Sequence, residues 1–253
     1  MRLSPFTAGL LTLGLGLSYS AAALAQTLRA LTTDNYPPFE FRIEETTDRP
    51  GVYGFDIELA ETIARNLGLK IQFQVGSFEQ LLPNLMAGQG DLAIAAISIT
   101  PERAQRVDFS EPYFEAQDSL VTLNSRLLPA DQNLSGLRLG YLQGTVQAQR
   151  AAQLKTRYPT LQTKSYVDVT ALLKALTTRE VDIALVESVV AAIFAQDNAQ
   201  LVVQKLNGAT QERYAIAFPK GSPYRDRFNR EIRRLRDSGE LTLMLRRWFA
   251  AQQ

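Results

Sequence analysis

The 253-residue sequence contains neither cysteine nor histidine. Without cysteine, the chain has no disulfide, no thiolate nucleophile and no lipid-modified N-terminal cysteine. Without histidine, it lacks the side chain that most often acts as a general base near neutral pH, and Cys/His metal sites are excluded as well. We therefore expect no metal site, no cofactor and no catalytic residues, and much of enzyme chemistry is excluded.

An excess of charge of one sign is also missing, because the formal net charge is only +1. Nucleic-acid-binding proteins usually carry a basic excess, so a nucleic acid is not an expected partner. Residues 1–25 are typical of a secretory signal peptide: Arg2 precedes an apolar stretch, and Ala23-Leu24-Ala25 ends in the small residues that signal peptidase cuts after. We expect cleavage after Ala25 and an exported mature protein.

The apolar residues follow helix and strand periods in alternation, which is typical of an α/β sheet with crossover helices. The C-terminal segment is predicted to be a strand, 214–218, followed by two helices. The first β-α-β-α-β series covers 28–32, 54–69, 70–75, 77–90 and 91–98, and the second covers 137–142, 146–158, 161–166, 168–178 and 181–187.

The two series share a helix–turn–strand unit. Leu85 and Asp91 are six residues apart, and Leu176 and Asp182 have the same spacing, with apolar residues at matching positions around them. The match occurs at the same stage of both series. We therefore expect a pair of similar α/β lobes.

Ligands of open α/β sheets bind beyond the C-terminal ends of the strands. After strand 91–98, Thr100 and Pro101 begin a helix whose first turn contains Arg103, a cation at the positive end of the helix dipole. The guanidinium of Arg103 can bind a carboxylate with two hydrogen bonds, helped by the Ser98 hydroxyl and the helix N–H groups. This stretch therefore predicts an anion site.

The other strand ends add complementary groups. Gly144-Thr145 begins a helix after strand 137–142 and offers an anion cradle from the second lobe, while Glu187 can accept hydrogen bonds from an ammonium group. Tyr36 and Phe78 can hold an apolar or planar part of a ligand between them. Together, these groups fit an α-amino acid.

Each of these residues also has a structural interpretation. Arg103 can pair with Glu102 or Asp108 on the surface, and Glu187 can cap a helix at 188–196. Tyr36 can be a packing residue. The sequence by itself leaves these alternatives open.

Five segments carry a family resemblance: YPPFEF, GFDIELA, AISITPERAQRVDFSEPY, GTVQ and YAIAFPKGS. In this order, over residues 28–248, the chain resembles the bacterial extracellular solute-binding proteins of the polar amino-acid type (family 3), which are periplasmic receptors of ABC importers. The resemblance implies an α/β fold with two lobes joined by a two-strand hinge, a periplasmic location, a membrane permease as partner and a monomeric chain. It further implies these bounds: signal peptide 1–25, lobe 1 at 26–114 and 214–253, lobe 2 at 119–209, and hinge segments 115–118 and 210–213.

The resemblance also implies roles for the candidate residues. Arg103 would bind the ligand α-carboxylate together with Ser98 and the Thr145 backbone, and Glu187 would bind the α-ammonium group. Tyr36 and Phe78 would bracket the ligand side chain, and the Ala96 carbonyl would accept from the ammonium.

Three positions depart from the family pattern. Glu187 replaces the usual aspartate. Thr33 replaces an acidic residue three positions before the first aromatic, with Asp34 one residue later as its substitute. Leu142 replaces a lysine of some glutamine receptors. No second cation matches the pattern, so a basic or neutral polar amino acid is favoured over an acidic one.

An enzyme on the same fold, a dehydratase of the cyclohexadienyl or prephenate type, is the alternative function. Its general acid would be expected about one helical turn after Glu187, where the sequence has Val190. A sensory domain of a receptor is a third possibility, and it would require a transmembrane helix.

Overall fold

The computed structural model describes residues 26–43, 51–209 and 211–249, so the predicted signal peptide lies outside the described residues. Fifteen strands and eight helices are found within these ranges. The strands are β1 Thr27–Thr32, β2 Asn35–Tyr36, β3 Glu40–Arg42, β4 Val52–Tyr53, β5 Lys70–Val75, β6 Leu92–Ala93, β7 Asp108–Phe109, β8 Phe114–Ala116, β9 Asp118–Leu123, β10 Arg138–Leu142, β11 Gln162–Tyr166, β12 Ile183–Glu187, β13 Leu201–Lys205, β14 Glu212–Tyr214 and β15 Ala217–Phe218. The helices are α1 Phe55–Asn66, α2 Phe78–Met86, α3 Pro101–Arg106, α4 Val146–Arg157, α5 Val169–Thr177, α6 Ser188–Asp197, α7 Arg225–Asp237 and α8 Glu240–Phe249.

Ten of the fifteen strands form two five-stranded sheets, one in each lobe, and β2, β3 and β4 form a small separate sheet. The lobe 1 sheet has the order β5-β1-β6-β15-β7, and the lobe 2 sheet has the order β11-β10-β12-β9-β13. In both sheets the strands linked by helices pair in parallel. The antiparallel partners are β15 and β7 in lobe 1, and β9 and β13 in lobe 2. The predicted pair of α/β lobes is confirmed.

A two-stranded antiparallel sheet connects the lobes. It is formed by β8 and β14, with Phe114 opposite Tyr214 and Ala116 opposite Glu212. This pairing confirms the two-strand hinge. The predicted lobe and hinge bounds stay a prediction, and Thr210 lies outside the described residues.

The repeated helix–turn–strand unit has the same hydrogen bonds in both lobes. The carboxylate of Asp91 accepts from the backbone N–H of Arg29 at 2.8 Å, and that of Asp182 accepts from the backbone N–H of Arg138 at 2.9 Å. In return, the backbone N–H groups of both aspartates donate to the carbonyls of the same arginines, each at 2.8 Å. The spacing found in the sequence therefore reflects one turn that is used twice.

Two predicted strands were wrong in extent. Residues 92–98 are buried, but only Leu92 and Ala93 are in a sheet, because the chain bends at Ala96, which has a φ of 45°. The predicted strand 214–218 is divided between the hinge strand β14 and the lobe 1 strand β15. The division occurs because Tyr214 pairs with Phe114 in the hinge, whereas Ala217 pairs with Ala93 in the lobe.

Phe39 is the centre of an aromatic cluster where lobe 1 meets the hinge. Its ring is completely buried and contacts rings from the N-terminal helix, the hinge and the C-terminal helix. The partners are Phe55, Phe114, Tyr214 and Phe249, with ring centroids 5.0 to 6.3 Å from that of Phe39. The core of lobe 1 thus extends to the hinge.

We expect Phe39→Ala to lower the free energy of unfolding by about 3–5 kcal/mol, because a buried cavity replaces the ring at the centre of the cluster. Urea denaturation followed by circular dichroism measures the change. Phe41→Ala is the control, because that ring is partly exposed and its edge contact is with Trp248. Equal losses in the two variants would contradict the central position of Phe39.

Candidate functional site

A narrow cleft with a cavity of about 40 Å³ lies between the two lobes. Nine of the eleven predicted site residues line it. They are Thr33, Tyr36, Phe78, Ala96, Ser98, Arg103, Leu142, Thr145 and Glu187. The structure therefore brings together residues that are up to 154 positions apart in the sequence, as from Thr33 to Glu187.

Arg103 points into the cleft from α3. Thr100 caps this helix by accepting the Arg103 N–H at 3.1 Å, and Pro101 is its first residue, as predicted. The guanidinium donates to the Ser98 carbonyl at 2.9 Å and, across the cleft, to the Gly144 carbonyl at 3.0 Å. Burial lowers the pKa of Arg103 from its usual value, an effect that nearby carboxylates partly oppose.

The surface alternative for Arg103 is wrong. Glu102 forms its ion pair with Arg106, and Asp108 pairs with Lys220 at 3.0 Å. The guanidinium of Arg103 instead lies 5.5 Å from the centroid of the Phe78 ring. Arg103 and Phe78 therefore form one wall of the cleft.

Glu187 ends β12 and is the N-cap residue of α6, but its side chain makes no capping hydrogen bond. Its carboxylate accepts from the Gln147 amide at 2.9 Å, from the Tyr214 hydroxyl at 2.7 Å and from the Tyr36 hydroxyl. The capping alternative is therefore wrong, and Tyr36 is more than a packing residue. Burial raises the pKa of Glu187.

Two further carboxylates, Asp118 and Glu212, lie near Glu187 at the hinge end of the cleft. Asp118 accepts from the same Gln147 amide at 2.8 Å, and Glu212 accepts from the Ser98 hydroxyl at 2.8 Å. Burial raises the pKa of Asp118, and burial together with the charges of Glu187 and Asp118 raises the pKa of Glu212 to about 8. The hinge end of the cleft therefore holds three carboxyl groups with raised pKa values, of which Asp118 pairs with Arg150 at 3.4 Å.

Asp118 and Glu212 were not predicted from the sequence, because the prediction considered only residues that follow the C-terminal ends of parallel strands. Asp118 begins the antiparallel strand β9, and Glu212 begins the hinge strand β14. The register that places these two residues beside the cleft depends on strand pairing between distant segments.

Glu40 is a third missed residue, and it lies in the lobe 1 wall of the cleft. It is buried, and one carboxylate oxygen accepts from the Thr33 hydroxyl at 2.8 Å. The other oxygen, Oε2, has no hydrogen-bond partner among the described residues. Burial, with a further contribution from Asp56, raises the pKa of Glu40 well above its usual value.

The hairpin register explains why Glu40 lies in the cleft wall. Glu40 stands directly opposite Tyr36 in the pairing of β2 with β3, so both residues are at the same height of the wall. Asp34, the predicted substitute for the missing acidic residue, is not among the residues lining the cleft and pairs with Arg42 at 2.8 Å. The structure places the carboxylate of Glu40, rather than that of Asp34, beside the first aromatic residue.

Asp56 lies behind Glu40 and supports the wall. It accepts from the Ala96 backbone N–H at 2.7 Å and from the Tyr113 hydroxyl at 2.8 Å. Burial raises its pKa to about 7. The bend at Ala96 is thus fixed by a buried carboxylate.

Among the residues that the structure describes, three polar contacts join the two lobes across the cleft. Arg103 contacts Gly144, Tyr36 contacts Glu187, and the Gln143 amide donates to Glu79 at 3.1 Å. Gly144, which does not line the cavity, has a φ of 72°, and a Cβ at this position would lie 2.5 Å from the Glu79 side chain. A close approach of the lobes therefore requires glycine here.

The described ranges contain no group of three or more acidic side chains arranged to hold a metal ion. In the same ranges, no helix combines the length and the hydropathy that crossing a membrane requires.

Comparisons with known proteins agree with this architecture. The family model of the bacterial extracellular solute-binding proteins, family 3, matches residues 28–251. The arginine-binding extracellular protein ArtP of Bacillus subtilis is 29% identical over 224 residues, which are 88% of this chain and 86% of that protein.

Two solved structures are similar over most of the chain. The substrate-binding protein AbpA from Streptococcus pneumoniae, bound to L-arginine, has a TM-score of 0.80 and 28% identity, over 89% of this chain and 95% of that chain. The ancestral amino acid-binding protein AncCDT-1, described as a precursor of cyclohexadienyl dehydratase, has a TM-score of 0.77 and 26% identity, over 88% of this chain and 95% of that chain.

We expect the stability of the protein to fall as the pH rises from about 4.5 toward 8, because folded Glu212 keeps a proton that the unfolded chain has lost. The Glu212→Gln variant lacks this group, so its free energy of unfolding relative to the wild type rises over the same window, by on the order of 1 kcal/mol after allowance for partial solvation. Urea denaturation at a series of pH values measures the difference. A difference that is constant from pH 5 to pH 8.5 would contradict the prediction. Glu115→Gln, a change at an exposed residue of the same hinge sheet, is the control.

Proposed function

The chain belongs to family 3 of the bacterial extracellular solute-binding proteins, and on this premise we propose that it captures a basic α-amino acid, arginine foremost, and delivers it to the membrane permease of an ABC importer. The observation that carries the choice of a basic ligand is the Glu40 oxygen in the cleft wall that has no hydrogen-bond partner among the described residues. A buried acceptor of this kind favours a ligand that brings a donor, and a cationic donor most of all.

Arg103 binds the α-carboxylate of the ligand. Its guanidinium is held at the cleft wall by the Ser98 carbonyl on one side and the Gly144 carbonyl on the other. The contact with Gly144 crosses the cleft, so it exchanges for the ligand carboxylate when the lobes open and close again. A guanidinium that is already positioned loses little conformational freedom in this exchange.

Glu187 binds the α-ammonium group. One of its oxygens is held by Gln147 and Tyr214, and the other accepts from Tyr36 across the cleft. When the lobes separate, the contact with Tyr36 is lost and this oxygen becomes available to the ligand. A cation that arrives near Asp118 and Glu212 favours their ionised forms, which burial otherwise disfavours.

The side chain of the ligand extends between Tyr36 and Phe78 toward Glu40. Aromatic faces favour the planar, weakly hydrated guanidinium. Burial disfavours the ionised form of the Glu40 carboxyl group, and a cation bound next to it offsets this cost. Relatives and neighbours with arginine in their descriptions support this choice.

Two observations bear on the dehydratase alternative: the description of one structural neighbour, and Glu212, a carboxyl group at the hinge end of the cleft whose pKa is raised to about 8. The general acid expected one turn after Glu187 is absent, because that position is Val190, which is buried and apolar. We therefore propose a receptor rather than an enzyme, in line with the family and with the descriptions of its relatives. We further propose that it is a periplasmic monomer, released after removal of residues 1–25.

Arg103→Ala tests the carboxylate site. We expect L-arginine to bind about 100-fold more weakly to this variant, because a positioned charge partner is lost from a buried site. Isothermal titration calorimetry measures the affinity, and circular dichroism checks the fold. Arg106→Ala is the control, because this residue of the same helix pairs with Glu102 on the surface. Unchanged affinity for the ligand would remove Arg103 from the site.

Glu40→Gln tests the side-chain site. L-Citrulline has nearly the shape of L-arginine but no charge, so the ratio of the two affinities isolates the contribution of the cation. We expect the wild type to prefer arginine and the variant to lose about tenfold of this preference. Glu79→Gln is the control, because Glu79 is an exposed acid at the cleft rim. If the ratio is the same in all three proteins, Glu40 does not select the ligand. Parallel titrations with lysine, histidine, glutamine and glutamate establish the ligand class.

A further inference from the structure

A second pocket with arginine-rich walls lies on lobe 2, away from the cleft. Its lining includes Arg126, Arg138, Arg179 and Asp182. Arg138 begins β10, whereas Leu142, which ends the same strand, lines the cleft. The pocket is therefore at the opposite edge of the lobe 2 sheet from the amino-acid site.

The repeated turn shows what is unusual here. In lobe 1 the turn after α2 places Gly88 three residues before Asp91, and in lobe 2 the turn after α5 places Arg179 three residues before Asp182. The N–H of Gly88 donates to the carbonyl of Leu85 at 3.1 Å, and the N–H of Arg179 donates to the carbonyl of Leu176 at 3.0 Å.

Both positions have left-handed backbone, with φ of 74° at Gly88 and 60° at Arg179. Glycine adopts this conformation without strain, whereas an L-residue with a side chain is disfavoured there by roughly 1 kcal/mol. Lobe 2 thus carries a long cationic side chain at a position where the backbone favours glycine. The strain is local, and the guanidinium that it presents is in the wall of the pocket.

The charges in the two turns also differ. In lobe 1, Arg29 donates to the Asp91 carboxylate and to the Gly88 carbonyl, so one cation faces one anion. In lobe 2, Arg138 occupies both oxygens of Asp182, and Arg126 reaches the same carboxylate at 3.5 Å. Three arginines and one aspartate give the pocket lining a formal charge of +2.

Arg179 makes no ion pair with any residue in the described ranges. Its neighbour Glu180 is bound instead by Lys164 and by the Tyr166 hydroxyl at 3.1 Å. The N–H donors of the Arg179 guanidinium are therefore available to a ligand. The neighbouring Arg126 and Arg138 share one carboxylate, that of Asp182, which neutralises only one of their two charges.

We propose that this pocket on lobe 2 is a binding site for a phosphate-class dianion, which Arg179 contacts together with Arg126 and Arg138. Guanidinium groups match the geometry of phosphate oxygens with pairs of hydrogen bonds, and a dianion matches the net charge of the pocket. The phosphate group belongs either to a free phosphate or to the headgroup of an anionic phospholipid.

The test is Arg179→Gly, which gives lobe 2 the residue that lobe 1 has in the same turn. This variant relieves the left-handed strain, so we expect it to fold with a melting temperature no lower than that of the wild type. Calorimetric titration with inorganic phosphate at low ionic strength is expected to show one saturable site in the wild type and about tenfold weaker binding in the variant. Arg65→Gln removes one positive charge from the surface of α1 and is the charge-matched control.

Vesicles with and without phosphatidic acid, whose phosphomonoester headgroup can carry two negative charges, distinguish the two sources of the phosphate group. Sedimentation with the anionic vesicles that is lost in Arg179→Gly and competed by free phosphate assigns the site to a lipid headgroup. Phosphate binding without sedimentation assigns it to a free phosphate. Absence of saturable binding to either probe overturns the proposal, as does equal binding by the wild type and Arg179→Gly. L-Arginine binding at the cleft is measured in the same samples, so failure of this proposal is distinct from failure of the amino-acid site.

Discussion

The carboxylate of Glu187 is the point at which the three parts of this molecule meet. It accepts hydrogen bonds from Tyr36 of lobe 1, from Gln147 of lobe 2 and from Tyr214 of the hinge. A buried carboxylate requires such donors, because each oxygen left without one is costly. The relative position of the lobes is therefore coupled to the satisfaction of this one group. In the proposed function, a ligand ammonium that replaced the Tyr36 contact would satisfy the same requirement, and binding would thereby be coupled to lobe closure.

The interior around the cleft holds more acid than it neutralises. Asp118, Glu212 and Glu40 all have raised pKa values, with burial as the main cause. The cations near them include Arg103 in lobe 1 and Arg150, which pairs with Asp118 at 3.4 Å. Burying like charges lowers stability unless protons or cations accompany them. A basic amino acid supplies two positive groups, which suit the carboxylates of Glu187 and Glu40, and one negative group, which suits the guanidinium of Arg103. The electrostatic strain of the unliganded cleft thus favours the ligand class that we propose.

The sequence allowed accurate prediction where chemistry is local. The Thr100-Pro101 helix start, the position of Arg103 and the succession of helices and parallel strands all follow from neighbouring residues, and the structure confirms them. Glu40 and Glu212 could not be found in this way, because their positions depend on the register between paired strands. Glu40 is the easier of the two to predict, because a tight hairpin places it opposite Tyr36. Strand pairing also accounts for the division of the segment 214–218, because Tyr214 pairs in the hinge sheet and Ala217 pairs in the lobe 1 sheet.

The internal repeat explains how one scaffold carries both shared and divergent features. Each lobe uses the same turn, in which an aspartate binds the first strand through the backbone of Arg29 or Arg138. In each lobe this turn lies at the edge of the sheet away from the cleft. Its outer surface therefore does not have to fit the other lobe when the lobes close, unlike the strand ends that line the cleft. Gly88 keeps the unstrained form in lobe 1, whereas Arg179 gives lobe 2 a cation at the cost of backbone strain. In the proposed site, an anion bound by Arg179 and the two neighbouring arginines would neutralise the excess positive charge, and this contact would offset the cost of the left-handed backbone at Arg179.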